Sequence, residues 1–411
     1  MAQSQATNIP PVTRTAIRRA VGAAAVTVLV AASTAPTATA AEMWTGPPPT
    51  TTPMSAADAA AIDAAGEQII ATLGANLPGV WVGVWDTRKG YHLGAYGKAA
   101  LPDTAATVDD RSRIGSISKT FTTATALRLV DQGRLSPAST IADVLPDLAA
   151  RHPALAPITV TQLIDMTSGI ADYANTGAVF SAVIDDPRRV WTPDQIVELS
   201  QSMPNAQPGT PGYTSTATII LGEMIAAVSG QSVGDAIDQT ATGAGLTQTA
   251  LPTPADATLP APATHGYVFD PGAASLNDVG ATVVPGTDVT DWSPSWGGAA
   301  GGMYSTVRDL GTWAGTGFGS TLLSEQLGAA RVGGPTTVHD GDVYGLGLIH
   351  WGDDWVGHTG QIIGWESFAA YNVRTGDVVV MVVNETGSLP AALPILLDAA
   401  NPSLRQALSG G

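Results

Sequence analysis

Two stretches of the chain repeat apolar residues at intervals of three, four or seven positions. The first stretch covers residues 55–77 and carries Ile62, Ile69 and Leu73. The second opens at Ser116, and its repeating positions are Ile117, Phe121, Ala124, Leu127 and Val130. Such intervals place the apolar side chains on one face of an α-helix. The sequence therefore predicts an amphipathic helix in each stretch, and the second ends near Gly133 because glycine commonly follows a helix end.

Short apolar runs near both ends of the chain predict β-strands. Residues 80–85 form one run, and residues 91–96 follow it after a turn at Arg88-Lys89-Gly90. Toward the other end of the chain the runs are residues 344–351, 367–372 and 378–383. Runs of this length that are rich in valine and aromatic residues and bounded by glycine-containing turns are typical of strands and hairpins.

The order of these elements predicts the fold class. Residues 116–286 lie between the two strand-rich ends, and their patterns are mostly helical, interrupted by loops rich in proline and glycine. We therefore expect an α/β fold of the α+β type, in which an antiparallel sheet built from both chain ends is flanked by helices and a mainly helical region is inserted. A functional site is expected at the seam between the sheet and the inserted region.

The first forty residues have the features of an export signal. Arg14, Arg18 and Arg19 precede an apolar run over residues 20–32, and Ala38-Thr39-Ala40 is a small-residue cleavage site. The apolar run is shorter than the roughly 20 residues of a membrane-spanning helix. We expect residues 1–40 to be cleaved, leaving a secreted protein without a stable membrane anchor. General and twin-arginine export both remain open.

Three further boundaries follow from composition. Residues 41–54 are rich in proline and threonine, which predicts a flexible linker. Residues 55–400 are expected to form one hydrolase domain, and residues 401–411 a carboxy-terminal tail. The oligomeric state is not predicted.

Charge and residue usage exclude several classes of function. The formal net charge of the 411-residue chain is −17, which argues against nucleic acid and anionic membranes as partners. Cysteine is absent, so disulfides, thiolate metal sites and a cysteine nucleophile are excluded. The six histidines are scattered without the spacing of metal ligands. We therefore expect neither a metal nor another cofactor.

Lysine is rare in this chain, and one of its three lysines follows a serine by three positions. Lys119 lies with Ser116 on the first turn of a predicted helix, where residues three apart are neighbours. A serine hydroxyl becomes a strong nucleophile when a base removes its proton. A buried lysine with a lowered pKa can be that base. The pair is therefore a candidate nucleophile and base, although this short pattern also arises by chance.

Two later segments carry further candidate residues. Tyr213 follows two Pro-Gly pairs in a tight loop that leads into a predicted helix over residues 216–228. His358-Thr359-Gly360 is preceded by Gly357, and glycines on both sides let the backbone approach a ligand closely. The Thr359 hydroxyl can donate to a carboxylate. Taken alone, Tyr213 is more typical of a partly buried tyrosine than of a catalytic one, and residues 355–361 are more typical of a strand end.

In this order and spacing, the three elements resemble the motifs of the penicillin-recognising serine hydrolases. The resemblance is to the branch that holds class C β-lactamases, soluble D-alanyl-D-alanine carboxypeptidases and related esterases, whose motifs are S-x-x-K, then Y-x-N, then H-x-G or K-T-G. Residues 161–170 also resemble the family's LLxHTSGL segment, and residues 300–310 resemble its AGGMxSTxxDL segment. The resemblance extends from about Ala60 to Asn384.

The resemblance implies a β-lactamase/transpeptidase-like fold and a role for each matching residue. Ser116 is the implied acylated nucleophile, Lys119 its proton partner, and Tyr213 an aid to proton transfer at the leaving group. The backbone N–H groups of Ser116 and Gln361 are the implied oxyanion hole. The implied substrate-binding residues are Ser215, His358, Thr359, Gly360 and Gln361. Which of the lysine and the tyrosine is the base at each step remains open.

Serine at position 215 departs from the family pattern, which has asparagine there. Asparagine offers a donor and an acceptor to a substrate amide, whereas serine offers one hydroxyl on a shorter side chain. The change leaves the nucleophile in place and weakens the expected recognition of peptide and β-lactam amides. His358, in place of lysine, resembles the carboxypeptidase and esterase members.

The sequence therefore predicts a secreted serine hydrolase that acts through an acyl-enzyme. The first candidate function is a D-alanyl-D-alanine carboxypeptidase of the cell wall, with a peptidoglycan peptide or another small molecule as its partner. The alternatives are a carboxylesterase on the same scaffold, which Ser215 favours, a weak β-lactamase, and a non-catalytic binding protein. The last is disfavoured because Ser116, Lys119 and Tyr213 are all present.

Overall fold

A computed structural model of the chain describes residues 42–278, 280–334, 336–339 and 342–409. The predicted export signal, residues 1–40, lies outside the described residues. The described strands are β1 (Gly79–Asp86), β2 (Gly90–Ala100), β3 (Thr104–Ala105), β4 (Ser112–Arg113), β5 (Tyr267–Val268), β6 (Thr287–Asp288), β7 (Tyr304–Ser305), β8 (Thr337–His339), β9 (Asp342–Tyr344), β10 (Ile349–Trp351), β11 (Trp355–Ile362), β12 (Trp365–Asn372) and β13 (Val378–Val383).

Helices flank the sheet and fill the middle of the chain. They are α1 (Ala56–Leu73), α2 (Ser118–Asp131), α3 (Ile141–Val144), α4 (Pro146–Arg151), α5 (Val160–Ile164), α6 (Ala178–Asp185), α7 (Pro193–Ser200), α8 (Ser215–Ser229), α9 (Val233–Gly243), α10 (Asp270–Asp278), α11 (Gly298–Gly301), α12 (Val307–Gly315), α13 (Glu325–Gly333), α14 (Leu389–Ala400) and α15 (Pro402–Ser409). Short 3-10 helices cover Gly115–Ile117, Pro153–Leu155, Tyr173–Thr176, Pro294–Trp296 and Ser320–Leu322.

The main sheet joins the two ends of the chain, as the sequence predicts. Its strand order is β3-β2-β1-β13-β12-β11-β10-β9-β8, and its neighbouring strands are antiparallel. β1 pairs with β13 in the register Val80↔Val383, so the amino-terminal and carboxy-terminal parts of the chain are neighbours in the middle of the sheet. The predicted fold class is therefore confirmed.

Strand β1 is apolar throughout because both of its faces are covered. Side chains alternate across a strand, and Val80, Val82 and Val84 belong to the core formed with α1 and α14. Trp81 and Trp85 point to the other face and belong to the core formed with α2 and α12. A strand buried on both faces is apolar at successive positions and does not alternate.

Helix α2 connects the core of the sheet to the core of the helical region. Phe121 and Ala124 belong to the sheet-side core, and Phe121 stacks on Trp313 of α12 with ring centroids 4.0 Å apart. One turn later, Leu127 and Leu129 belong to the core of the helical region with residues of α5 and α8. The helix that carries Lys119 therefore lies at the seam between the two cores.

The residues at both edges of the predicted hydrolase domain are packed against its core. Residues 42–54 do not form an unpacked linker, because Trp44 is buried in the sheet-side core and the Tyr371 hydroxyl donates to the carbonyl of Pro47 at 2.8 Å. The carboxy-terminal residues are not a loose tail, because α15 buries Leu404 against α1 and α14. Proline-rich composition and chain position did not reveal these single apolar anchors.

The predicted strand over residues 344–351 is two strands. β9 ends at Tyr344, and β10 begins at Ile349. Gly347 between them has a φ of +79°, a left-handed conformation that favours glycine and ends the extended run. The two strands pair with each other in antiparallel fashion.

No single described helix is long and apolar enough to cross a membrane, and α8 and α9 reach that length only together, with an 86° bend between them.

The packing of α15 predicts a measurable contribution to stability. Leu404 is fully buried, so Leu404→Ala should lower the free energy of unfolding by about 2–5 kcal/mol, the range for a buried leucine. Gln406→Ala, on the exposed side of the same helix, should change it by less than about 0.5 kcal/mol. Urea unfolding followed by circular dichroism measures both. Equal, small effects would mean that α15 does not contribute to the core.

Candidate active site

Ser116 and Lys119 lie side by side where a 3-10 helix leads into α2. Ser116 is in the middle of Gly115–Ile117, and Lys119 is the second residue of α2. Lys119 Nζ is 2.9 Å from Ser116 Oγ and 3.0 Å from the carbonyl oxygen of Ala300. Lys119 is only 1% exposed, whereas Ser116 is half-buried. The structure therefore places the predicted amine beneath the predicted nucleophile.

The surroundings of Lys119 favour its uncharged form. Burial lowers the pKa of Lys119 to about 7, because the ammonium loses its hydration, while the carboxylate of Asp172 acts in the opposite direction. An uncharged amine has a free electron pair, so it can accept a proton from the Ser116 hydroxyl. A large share of the molecules therefore carries a competent base at neutral pH.

Tyr213 lies over the same pair of residues. Its hydroxyl is hydrogen-bonded to Ser116, and its ring centroid is 4.9 Å from Lys119 Nζ. Burial raises the pKa of Tyr213 well above its usual value, so the phenol keeps its proton in the free protein. The two groups thus divide the proton transfers: the amine of Lys119 is the acceptor for the first, and the phenol is a proton donor.

The loop that carries Tyr213 is held by the segment that resembles the family's LLxHTSGL motif. Three backbone hydrogen bonds of 2.7–2.9 Å join the two segments, from Gly212 to Met166, from Gly209 to Thr167 and from Ala206 to Gly169. Gly169 has a φ of +70°, and an added Cβ would lie 2.7 Å from the carbonyl oxygen of Ala206. Glycine is therefore required there for both conformation and close approach.

The two backbone segments implied as the oxyanion hole are adjacent. A Cβ added at Gly115 would lie 2.4 Å from the backbone nitrogen of Gln361. A Cβ added at Gly360 would lie 2.0 Å from the carbonyl oxygen of Ile114. The missing side chains let β11 lie directly against the turn that carries Ser116. The N–H of Ser116 is at the start of a helical turn, where it has no partner within the helix, and such groups suit a developing oxyanion.

These groups open into a cavity of about 330 Å³. Of the residues predicted from sequence, those that line it are Ser116, Lys119, Tyr213, Ser215 and Gln361. Aromatic side chains that the sequence analysis did not select form much of the remaining wall, namely Tyr173, Phe180 and Trp296. The cavity thus combines a nucleophile, a base and an apolar wall.

His358, Thr359 and Gly360 are not among the residues that line the cavity, and their contact with the substrate stays a prediction. His358 is 1% exposed, and its ring lies 6.0 Å from the ring of Tyr213. Its Nε2 is 3.2 Å from the Tyr344 hydroxyl, and burial lowers its pKa to about 3, so the imidazole is neutral. His358 therefore packs beside the ring of Tyr213. Thr359 is exposed on the same face of β11 as Gln361.

Asp172 is the charged residue that sequence reasoning missed. It is 7% exposed and lines the cavity with Ser116 and Lys119. The amide and hydroxyl groups of Ser215 both form hydrogen bonds with its carboxylate. Ser215, expected to face the substrate amide, is therefore engaged by a neighbouring side chain. The sequence position of Asp172 could have indicated it, because Asp172 lies two residues after the segment over residues 161–170 that resembles a family motif.

A metal centre is not suggested by the described part of the chain, where no group of three or more histidine, aspartate or glutamate side chains is arranged to hold an ion.

Comparison with known proteins identifies related sequences and folds. The Beta-lactamase family model matches residues 67–400. Penicillin-binding protein 4 of Amycolatopsis lactamdurans is 30% identical over 216 residues, which are 50% of this chain and 50% of that protein. The chain thus spans about half the length of the curated relative that it matches.

Solved structures agree over a larger share of the chain. A D-stereospecific amidohydrolase from Streptomyces has 27% identity and a TM-score of 0.69, covering 82% of this chain and 98% of that one. D-amino acid amidase from Ochrobactrum anthropi SV3 has 22% identity and a TM-score of 0.71, covering 84% and 99%. A penicillin binding protein from Bacillus halodurans has 22% identity and a TM-score of 0.65, covering 80% and 99%. The last two show the fold alone.

The pKa of Lys119 predicts how acylation depends on pH. Protonated Lys119 cannot accept the Ser116 proton, so the acylation rate should fall about tenfold per pH unit below about 7 and level off above it. Lys119→Arg, which keeps its positive charge at all these pH values, should abolish the reaction. Stopped-flow acylation by a p-nitrophenyl ester between pH 5.5 and 8.5 measures this. A flat profile in the wild type would rule out Lys119 as the base.

The close contact between β11 and the turn that carries Ser116 predicts the effect of adding one methyl group at Gly360. Gly360→Ala should push the strand away from Ile114 and lower kcat/KM by about 10²–10³-fold, the loss that follows removal of one oxyanion donor. Gly333→Ala is the control, because an added Cβ there meets no atom within 4 Å. Steady-state kinetics with circular dichroism separates lost activity from lost folding. A Gly360→Ala variant with normal kcat/KM would contradict the proposed position of the oxyanion.

Proposed function

The chain belongs to the beta-lactamase family of serine hydrolases, and from that premise we propose that it hydrolyses the amide bond on the carbonyl side of a D-amino acid residue. The observation that carries the proposal is the 2.9 Å contact between Ser116 Oγ and a buried Lys119 amine whose pKa is lowered to about 7. This pair can form and discharge an acyl-enzyme without a metal or another cofactor.

The proposed reaction has two halves. In the first, Ser116 Oγ attacks the substrate carbonyl carbon, its proton passes to Lys119 Nζ, and the negative charge on the carbonyl oxygen faces the N–H groups of Ser116 and Gln361. The C–N bond then breaks, and the leaving amine takes a proton from Tyr213, which regains one from Lys119. In the second half, water attacks the ester carbonyl, and the same groups return the proton to Ser116 Oγ.

The choice of a D-amino acid substrate is supported by the related proteins. The Streptomyces enzyme, similar over 82% of this chain, is a D-stereospecific amidohydrolase. The hydroxyl of Ser215 donates to Asp172, so it can offer a substrate amide its acceptor lone pairs but not its proton. Recognition in this proposal therefore depends on the carbonyl, on the acyl side chain and on the aromatic wall.

The carboxypeptidase form of this activity, which the sequence analysis placed first, is the second candidate. Binding a terminal carboxylate calls for a cation, and arginine is the usual choice for it. The described residues that line the cavity include Lys119 as a cation and no arginine. The exposed Thr359 hydroxyl is the observation in favour of the carboxypeptidase, since it can donate to a carboxylate.

We also propose that the protein acts outside the cytoplasm, on D-amino acid amides or short peptides that contain D-amino acids. The arginines and apolar run of residues 14–40 support export. The acidic balance of the chain supports small substrates over nucleic acid.

The proposed function predicts a covalent intermediate with a defined stereochemistry. The wild type should hydrolyse D-alanine p-nitroanilide at least about tenfold faster than the L-isomer, and mass spectrometry of a rapidly quenched reaction should find the acyl group on Ser116. Ser116→Ala should lose both signals while keeping its circular dichroism spectrum. N-acetyl-D-alanyl-D-alanine and a p-nitrophenyl ester test the carboxypeptidase and esterase alternatives.

Three results would contradict the proposal in different ways. A preference for the L-isomer would remove the D-specific substrate. Turnover of the ester alone would favour the esterase. An unmodified Ser116 with all four substrates would remove the acyl-enzyme mechanism itself.

A further inference from the structure

The active-site cavity is lined by few side chains that can carry a charge. Among its described lining residues, Lys119 and Asp172 carry ionisable charges of opposite sign. Nucleophilic attack needs Lys119 in its uncharged form, because only the free amine accepts the proton of Ser116. When the site is ready to react, the carboxylate of Asp172 is therefore left without a compensating charge in the cavity.

Asp172 is held in place by backbone and side-chain donors. Its Oδ1 accepts from the N–H of Ala174 at 3.1 Å, and Ser215 donates to the same carboxylate from its amide and its hydroxyl. Ser215 is the first residue of α8, a helix of 15 residues, and the start of a helix favours a negative charge. These contacts hold the carboxylate at the cavity wall and favour its anionic form, whereas burial acts against that form and raises the pKa of Asp172.

None of the described ion pairs includes Asp172, and Lys119 is the cation whose charge acts on it. A buried carboxylate without a cation loses hydration free energy, and the hydrogen bonds that Asp172 accepts offset only part of that loss, because its pKa is raised. A positively charged group on the substrate supplies what is missing. Burial raises the pKa of Asp172, and an incoming ammonium acts against that shift.

We infer that Asp172 binds the α-ammonium group of the substrate, so that this site accepts acyl groups with a free amine, such as D-amino acid amides and the amino-terminal residue of a short peptide. This inference rests on the proposed function and deepens it, because it states which end of the substrate the cavity recognises. N-acylated peptides, including cell-wall peptides cleaved from their carboxyl end, lack this charge.

The covalent structure of an amino acid brings its ammonium near Asp172. The α-nitrogen is two bonds from the carbonyl carbon that Ser116 Oγ attacks, so it stays close to the nucleophile in every pose that reacts. Ser116 and Asp172 line the same cavity. The side chain of the acyl residue then meets the aromatic wall, where Phe180 and Trp296 pack edge-to-face at 5.6 Å. We therefore expect apolar or aromatic amino acids to be preferred.

A free amine also acts on the base. A positive charge beside Lys119 disfavours its protonated form and lowers its pKa. The substrate thereby takes over the role of counter-ion to Asp172 and leaves Lys119 uncharged. For free-amine substrates, the acid limb of kcat should therefore lie at a lower pH than it does for substrates without the amine, whose kcat limb should stay near 7.

The wild-type protein alone tests the inference with three substrates that share one leaving group. These are D-phenylalanine p-nitroanilide, its N-acetyl derivative, and 3-phenylpropionyl p-nitroanilide, which lacks the amine without adding bulk. The kcat/KM of the free-amine substrate should exceed that of each of the other two by about 10- to 100-fold, the value of a hydrogen bond between charged groups. Equal or higher values for the 3-phenylpropionyl substrate would overturn the inference.

A charge-removing variant assigns the effect to one residue. Asp172→Asn should lower kcat/KM for the free-amine substrate by about 10- to 100-fold while changing that of the 3-phenylpropionyl substrate much less. Asp172→Glu should restore part of the preference. Asp185→Asn, which removes one charge from an exposed position at the end of α6, is the matched control and should change neither.

The outcomes separate this inference from the proposed function. Equal losses on both substrates in Asp172→Asn would show that Asp172 acts only through Lys119, and the inference would fail while the acyl-enzyme at Ser116 stands. Failure of the proposed function looks different, because Ser116 would then stay unmodified with all three substrates in the wild type. If Asp172→Asn does not fold, the three-substrate comparison in the wild type still decides.

Discussion

An uncharged lysine amine beside a serine hydroxyl requires a site that keeps water out and gives an ammonium few partners. The packing around Lys119 meets this requirement. Lys119 lies on α2 between the core of the sheet and the core of the helical region, where it is 1% exposed. The carbonyl of Ala300 accepts from its amine at 3.0 Å, and this neutral acceptor orients the amine without giving it the counter-charge that would raise its pKa.

Different segments around Ser116 and Lys119 hold different parts of the site in place. Helix α11 and the residues that follow it are tied to α2, since the Thr122 hydroxyl donates to the carbonyl of Ala299 at 2.7 Å and the N–H of Met303 donates to the Ser118 hydroxyl at 3.2 Å. These contacts hold the Ala300 carbonyl against Lys119. The segment over residues 161–170 instead holds the loop of Tyr213. Catalytic side chains that must stay within a fraction of an ångström are thus fixed through hydrogen bonds in which at least one partner is a backbone group.

The parts of this architecture that the sequence predicted are those with local or repeated signals. The joining of the two chain ends in one sheet follows from the apolar runs at both ends, and the pairing of Ser116 with Lys119 follows from helical spacing. Neither kind of signal indicates the role that we infer for Asp172, because its partners Ser215 and Lys119 are 43 and 53 positions away in the chain. His358 was assigned to the substrate from its motif, and only tertiary packing shows it beside the ring of Tyr213.

The hydrogen bonds to Asp172 change the interpretation of the serine at position 215. Judged against a family that has asparagine there, it is a lost contact with the substrate amide. In the structure, its hydroxyl and its amide fix a carboxylate at the start of α8, an end that already favours negative charge. The departure from the pattern therefore places the donors of position 215 against a carboxylate that lines the cavity, and this carboxylate is the group that we infer binds the ammonium of the substrate.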